Sequence, residues 1–396
     1  MITTKFCYIN CRFLTAVLLF LILSSGWASA QNMVPLNRPT YYPRAIRLQH
    51  SGAANGRLLA SFDSGRTGNI YESLDNGQTW QAVAEVTETT PPGNCCSGLY
   101  EVPRQLGNTA AGTLFWSTSV GTDKGGRGPC SIRIYRSQDQ GRTWSYFSTP
   151  VSGFIGLWEP EFAVDKQGRL VVYYSSEERK ANGYNQMLAH KVSLDGGLTW
   201  GEEVLDVGMN DGKRRPGMPL VKQLPNGSFV MTYEICGTGC DTYIRTSPDG
   251  TNWGDPADEG TRVESTAGHH FEHAPTLAWA PVPGKKDGQL LVIGQMLLNN
   301  ADNTVAPDNG KVYMVNTTNG IGPWTEVPAP VPVPDAKDNP CPNYSSQLLP
   351  SADGLTVLEV ALRMTENGCR AFYSSAPLSP PTPQKAPTSK KARKSK

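Results

Sequence analysis

The sequence predicts an all-β chain, a six-bladed β-propeller of four-stranded antiparallel blades, and three observations carry that prediction. An eight-residue motif recurs at blade-like intervals, apolar runs come in pairs across tight turns, and glycine and proline number 40 and 31 in 396 residues. Those two types make up about 18% of the chain, too many for a helical bundle and, without a period, too few for a disordered chain. The length exceeds the usual single-domain size, but all-β rings reach it as one unit.

Taken in order, the chain opens with Lys5 and Arg12 ahead of an apolar run from Phe13 to Leu23, then Ala28-Ser29-Ala30, the small-x-small pattern a signal peptidase reads. The run is too short to cross ~30 Å of hydrocarbon at ~1.5 Å per residue. Residues 1–30 are therefore expected to be a signal peptide. The mature protein, beginning near Gln31, should be secreted, extracellular and free of the membrane.

Paired apolar runs follow at 44–48 with 57–61, 100–106 with 113–117, 159–164 with 169–174, and 218–223 with 228–233. Two further units span 274–279 with 289–294 and 311–315, then 345–349 with 356–361 and 370–374. Such runs suit blades whose two faces both pack on neighbours. The sixth unit ends near Ser375 without a fourth strand, so the segment around residues 33–40 should supply it and close the ring. One domain over 31–376 results, and a monomer is expected because a closed ring buries its own sheet edges.

The recurring motif is Ser73-Leu74-Asp75-Asn76-Gly77-Gln78-Thr79-Trp80, repeated from Ser137 to Trp144 and from Ser193 to Trp200, with a shortened copy from Ser247 to Trp253. Its aspartates, Asp75, Asp139, Asp195 and Asp249, lie 64, 56 and 54 residues apart, within reach of a ~40–50-residue blade once loops are added. The chemistry is structural. Ser and Asp accept hydrogen bonds from backbone amides of the turn, Gly supplies a positive φ, and Trp covers the hairpin. Three full copies resemble the Asp-box (BNR) repeats of the sialidase-like superfamily. The last two units carry no recognisable copy.

Residues 377–396 carry Lys385, Lys390, Lys391, Arg393, Lys394 and Lys396 among Pro, Ser and Thr, a composition that cannot pack and predicts a disordered basic tail. Removing both ends from a net charge of +1 leaves about −7 for the core, which argues against a nucleic-acid partner. Of nine cysteines, seven remain after removal of Cys7 and Cys11. In a secreted chain they can pair. Cys236 and Cys240 can staple a hairpin mouth, and Cys341 and Cys369 flank one strand pair. Cys130 has two candidate partners in Cys95 and Cys96, leaving one thiol over, unless the adjacent pair closes on itself. No Cys or His spacing matches a zinc site, and neither a metal nor an organic cofactor is expected.

In sialidase-like propellers the innermost strand of each blade starts near the central pocket and the second strand returns to it. Glu159, in Trp158-Glu159-Pro160-Glu161-Phe162, opens the third unit; Glu234, in Tyr233-Glu234-Ile235-Cys236, ends the second strand of the fourth. Both should lie at the pocket end of adjacent blades, with Glu161 two residues farther down. Two facing carboxylates are the minimum for hydrolysing a glycosidic bond, since one donates a proton while the other attacks or activates water. Trp158, Tyr174 and Tyr233 offer flat apolar surface for sugar rings. The plainer reading makes each Glu an ion-pair partner of Arg44 or Arg215; two acids at matched positions favour a site.

The Trp158-Glu159-Pro160-x-Phe162 stretch, Tyr173-Tyr174-Ser175-Ser176-Glu177, and Arg215-Pro216-Gly217-Met218-Pro219 with Tyr233-Glu234 resemble glycoside hydrolase family 93, the secreted exo-α-1,5-L-arabinanases. The resemblance runs from Tyr42 to about Ser375. It implies release of arabinobiose from linear arabinan with retention, Glu159 (or Glu161) as acid/base, Glu234 as nucleophile, and a polysaccharide partner. Arg44, Trp158, Tyr174, Glu177, Arg215, Tyr233, His273, Asn343 and Tyr344 are the candidate substrate-binding residues. His269, His270, Glu272 and His273 are read as substrate-facing or loop-anchoring rather than as a metal site. A sialidase would need three arginines around the substrate carboxylate, and only Arg44 occupies such a position. A propeller that binds glycans without turnover is the third reading. Asn226, Asn316 and Asn343 each open a glycosylation sequon.

Overall fold

The computed structural model describes residues 31–89, 94–121 and 128–378. The stretch expected to be a signal peptide, residues 1–30, and all but the first two residues of the expected basic tail lie outside the described residues. Pro377 still belongs to the last strand and Leu378 is buried, so packed residues continue past the expected boundary at 376.

The strands assemble into six antiparallel sheets. Their innermost strands are Tyr41–Arg47, Asn94–Glu101, Leu157–Val164, Arg215–Gln223, Thr276–Val282 and Gln347–Pro350. Each touches the next, and the sixth touches the first. Five sheets have four strands. The fourth departs from that expectation: its four strands are extended by a hairpin, His269–Glu272 with Met296–Asn299, joined through the pairing of Asp241 with Glu272. The second unit also differs, since its innermost strand begins at Asn94 rather than 100. Its opening residues Cys95-Cys96-Ser97-Gly98 lack the alternation from which a strand is read.

Apolar clusters fill all six junctions between sheets. The second and third sheets share Phe115, Phe162, Tyr174 and Leu170, and the sixth and first share Leu358, Tyr373, Phe62 and Trp80. The motif tryptophans seal these junctions. Trp80 and Trp253 each lie in the cluster toward the preceding sheet, and Trp144 and Trp200 pack against theirs. In every full copy the Ser hydroxyl accepts from the Gly amide four residues on, at 2.8, 2.8 and 2.7 Å. The Asp carboxylate receives the Thr amide at 2.9 Å in each. The fifth sheet has a disguised version: Asn316 Oδ1 accepts from the Thr318 and Gly320 amides at 2.8 Å, and Trp324 is buried in the junction with the fourth sheet.

Closure of the ring uses the N-terminus. Asn32 and Met33 pair with Tyr373 and Phe372, and the Val34 and Thr40 amides donate to the Ala371 and Cys369 carbonyls. Disulfides join Cys236 to Cys240 and Cys341 to Cys369, while Cys95 closes on Cys96 and Cys130 remains a buried free thiol.

Candidate active site

The site grows out of a backbone irregularity repeated around the ring. In four innermost strands the register slips, between Tyr41 and Arg44, Cys95 and Gly98, Trp158 and Glu161, and Gly217 and Leu220. The first extra residue of each bulge has a left-handed backbone: Tyr42 (φ 51°), Cys96 (60°), Glu159 (53°) and Met218 (59°). Ala274 (46°) and Ser345 (55°) repeat the conformation just ahead of the fifth and sixth innermost strands. A non-glycine residue there costs about 1–2 kcal/mol, and bulges re-aim side chains at functional sites. Tyr42, Met218 and Ala274 pack together with Cys96 and Tyr344 against them. Four of the six residues precede a proline, Pro43, Pro160, Pro219 or Pro275. That repeated dipeptide is the sequence signal from which Tyr42 and Met218 could have been found.

Glu159 and Glu234 meet around the fourth bulge. Glu159 Oε2 accepts from the Ser175 hydroxyl at 2.5 Å and the Met218 amide at 3.2 Å. Glu234 pairs in register with Gly217, the residue before Met218, and its Oε2 accepts from the Ala274 amide at 2.7 Å. A side chain at 217 would intrude, since its Cβ would lie 2.7 Å from Gln186 Nε2 and 3.5 Å from Glu234 Oε1. Burial raises the Glu159 carboxyl above the ordinary range against the pull of Ser175 and Arg215. Burial, reinforced by the charge of Glu159, pushes Glu234 up to about 7.

The cations that could have neutralised the pair are engaged elsewhere. Arg44 Nη1 donates to the Ser345 hydroxyl at 2.9 Å and to the Pro43 carbonyl at 2.7 Å, with its guanidinium 4.0 Å from the Tyr42 ring centre. Arg215 donates to Glu177 Oε1 at 2.6 Å, and Lys180 bonds the other oxygen of that carboxylate. Burial opposes ionisation of Glu177, but Lys180 and Arg215 outweigh it and hold the carboxyl low.

Several candidates are brought to this place and several are not. Trp158 precedes Glu159 in the strand, and its indole N–H, buried and unpartnered, lies against Gly156 on the side of Glu177. Tyr344 donates to Met218 Sδ at 3.7 Å, and its phenol is raised by burial and by the charges of Glu234 and Glu159. His273 lies next to Ala274, half-buried. Glu161, by contrast, binds Lys222 at 3.1 Å farther along the strand. The bulge carries Glu159 alone into the site, which removes Glu161 as an acid/base candidate. Tyr174 and Tyr233 are fully buried in inter-sheet cores, where their hydroxyls donate to Glu203 at 2.9 Å and the Glu259 carbonyl at 2.6 Å. Neither can stack on a sugar. Asn343 is also buried, its amide donating to the Gly294 and Gln295 carbonyls at 3.1 and 2.9 Å; it holds a loop rather than a ligand.

Sequence reasoning missed Tyr42, whose buried hydroxyl has no partner and whose phenol is raised by burial and by both carboxylates. It also missed Asp63, which accepts from the Ser97 amide at 3.0 Å and hydroxyl at 2.6 Å and so anchors the Cys95–Cys96 segment. Burial lifts that carboxyl to about 6, against the hydrogen bonds from Ser97.

A ring of antiparallel sheets is the architecture of the sialidase-like β-propellers, and solved structures of that fold match the chain. A Hadza microbial sialidase aligns over 86% of this chain and 66% of its own, at 14% identity and TM-score 0.56. Stronger likenesses point to the family whose motifs the sequence resembles. The GH93 α-L-arabinofuranosidase of Fusarium graminearum, solved with arabinobiose, matches at TM-score 0.73 and 22% identity over 89% of this chain and 98% of its own. A Penicillium chrysogenum α-L-arabinanase, also complexed with arabinobiose, matches at TM-score 0.71 and 27% identity, covering 88% and 98%. No family model and no curated protein sequence matches the chain.

Proposed function

We propose that the protein is a secreted, six-bladed Asp-box propeller acting as a retaining glycoside hydrolase, an exo-α-1,5-L-arabinanase releasing arabinobiose from linear arabinan. The observation that carries the proposal is the Glu159–Glu234 pair: two coupled carboxyls, both raised by burial, in the fold of the arabinobiose-binding Penicillium chrysogenum arabinanase. Glu159 protonates the departing oxygen while Glu234 attacks the anomeric carbon, forming an arabinosyl ester. Glu159 then takes a proton from water, which cleaves the ester with the original configuration restored. Trp158, Tyr42 and Tyr344 supply the apolar walls, and Arg44, Arg215 and Glu177 border them.

One proton serves both acids. Burial raises both acids, Glu234 up to about 7, and the first chemical step needs the proton on Glu159. Two neighbouring buried carboxyls share their protons, and a glycosidic oxygen seated against Glu159 draws the proton there. The three-arginine clamp of a sialidase gains no support, because Arg215 is bound to Glu177 and Arg44 to Ser345 and the Pro43 carbonyl.

The test is hydrolysis of debranched arabinan, with the product and its anomer followed by proton NMR. Wild type should release a disaccharide of retained configuration, and Glu234→Gln should release none. Glu159→Gln should lose about 10²–10⁴-fold on arabinan yet far less on an aryl arabinoside whose leaving group needs no proton. Cleavage of a sialyl reporter instead, or no cleavage of either substrate, would overturn the assignment.

A further inference from the structure

Beside the catalytic pair lies a second set of chemically reactive groups. Cys236 follows Glu234 by two residues on one strand, so both side chains leave the same face. Cys240 is paired with Cys236 across the Gly237-Thr238-Gly239 turn. His273 comes from the fourth sheet's extension, where its amide donates to the Cys240 carbonyl at 3.0 Å while the next amide, Ala274, holds Glu234. One ligand atom from each of Glu234, Cys236, Cys240 and His273 lies within 4.8 Å of all the others. Tetrahedral zinc with sulfur at ~2.3 Å and nitrogen or oxygen at ~2.0–2.2 Å separates its ligands by roughly 3.3–3.8 Å. Small side-chain movements would therefore complete the site, and its donor set, two thiolates, an imidazole and a carboxylate, is one zinc favours.

The disulfide withholds it. While Cys236 and Cys240 are joined, their sulfurs cannot act as two thiolate ligands. We propose that this bond guards the active site against soft divalent cations: once reduced, Cys236, Cys240, His273 and Glu234 bind one zinc ion, which takes up the carboxylate needed as nucleophile and stops turnover. The inhibition arm rests on the role proposed for Glu234; the binding arm does not. Reduction by a water-soluble phosphine balances simply. The phosphine is oxidised by two electrons and takes the oxygen of one water as its oxide, the S–S bond breaks, and each sulfur gains a hydrogen. Zinc then displaces two thiol protons to solvent.

The experiment uses the mature protein with and without phosphine, titrated with Zn²⁺ against a chromogenic chelator, with arabinan hydrolysis measured in parallel. Reduced wild type should bind one additional Zn²⁺ relative to the oxidised form and lose more than tenfold in rate, with recovery on adding EDTA. The oxidised protein should be indifferent. The Cys236→Ser, Cys240→Ser double variant should stay active in zinc after reduction. Should that variant misfold, iodoacetamide alkylation of reduced wild type before titration, with modification of Cys236 and Cys240 read by peptide mass spectrometry, provides a second control, as loss of the extra zinc in step with their alkylation. Equal zinc uptake by oxidised and reduced protein, or uptake that survives both controls, would overturn the proposal. Zinc uptake without any arabinan activity in the oxidised protein would sink the catalytic reading and leave the metal site standing.

Discussion

At the scale of single residues, the decisive feature is a left-handed backbone at Glu159. Ordinary strand alternation would place Glu159 and Glu161 on one face, whereas the two-residue bulge between Trp158 and Glu161 separates their fates. One acid goes to Met218 and Ser175 and the other to Lys222. A pH profile follows from the pair. The mechanism proposed above needs one proton on the two carboxyls. With Glu159 ionised, burial and that neighbouring charge hold the last proton on Glu234 until about pH 7. Activity should therefore fall as pH rises through about 7, and fall again in acid as the pair takes up its second proton, giving a bell with a mildly acidic optimum. A kcat/KM profile flat across neutral pH would contradict the coupling. Burial also sorts the sequons: Asn316 and Asn343 are 2% exposed and hydrogen-bonded, whereas Asn226 is exposed on a turn. Expression in a glycosylating host should give modification at Asn226 alone, readable by peptide mass spectrometry.

At the scale of elements, the turn motif works by joining one sheet to the one before it. The Ser137 hydroxyl both accepts the Gly141 amide and donates to Asp139 at 2.7 Å. Ser137→Ala leaves a buried amide unpaired and should cost about 1–3 kcal/mol, measured as a lower urea midpoint with unchanged m-value. Asn316→Ala should cost a similar amount, because the fifth turn uses an amide oxygen for the same task. If Asn316→Ala proves neutral, the disguised repeat has no structural weight. The motif acids add a pH dependence. Burial acts slightly against them, but hydrogen bonds from Thr143 and Thr199 pull Asp139 and Asp195 down to about 2. Folded values below the unfolded one mean a contribution present above about pH 4 and lost as pH falls toward 2.

The whole molecule depends on closure. Six inter-sheet cores include one between the last sheet and the first, and that junction joins chain segments some 300 residues apart through Tyr373, Trp80 and the Asn32–Met33 strand. The Cys341–Cys369 disulfide ties the final loop to the strand that receives the N-terminus. Replacing both cysteines with serine should cost about 3 kcal/mol. Deleting residues 31–36 should lower Tm further, by uncovering a sheet edge and by removing Val34 and Leu36 from the core between the sixth and first sheets. If the shortened protein unfolds at the wild-type temperature, the N-terminal strand is not what closes the ring. Closure also sets the site, since Ser345 from the sixth sheet holds Arg44 of the first.

The sequence alone pointed to the repeat, the strand units, the closing role of the N-terminal segment, and Glu234 with either Glu159 or Glu161 facing it, because each is written in local pattern. Turn chemistry recurs at short range, apolar runs mark strands whatever they pack against, and the positions of Glu159 and Glu234 follow from counting around two tight turns. Only the tertiary structure decided which neighbours join them. Tyr174 and Tyr233 are as aromatic as Tyr42 and Tyr344, yet the first two fill cores and the second two face the carboxylates, since a strand's inward and sideways faces are both apolar in a ring of packed sheets. Asn316 passed for an ordinary sequon until its amide oxygen was seen in the place of a serine hydroxyl. Cys236, Cys240, His273 and Glu234 converge only because a hairpin from beyond residue 268 is laid along the fourth sheet, and long-range pairing of that kind leaves no periodic trace in the chain.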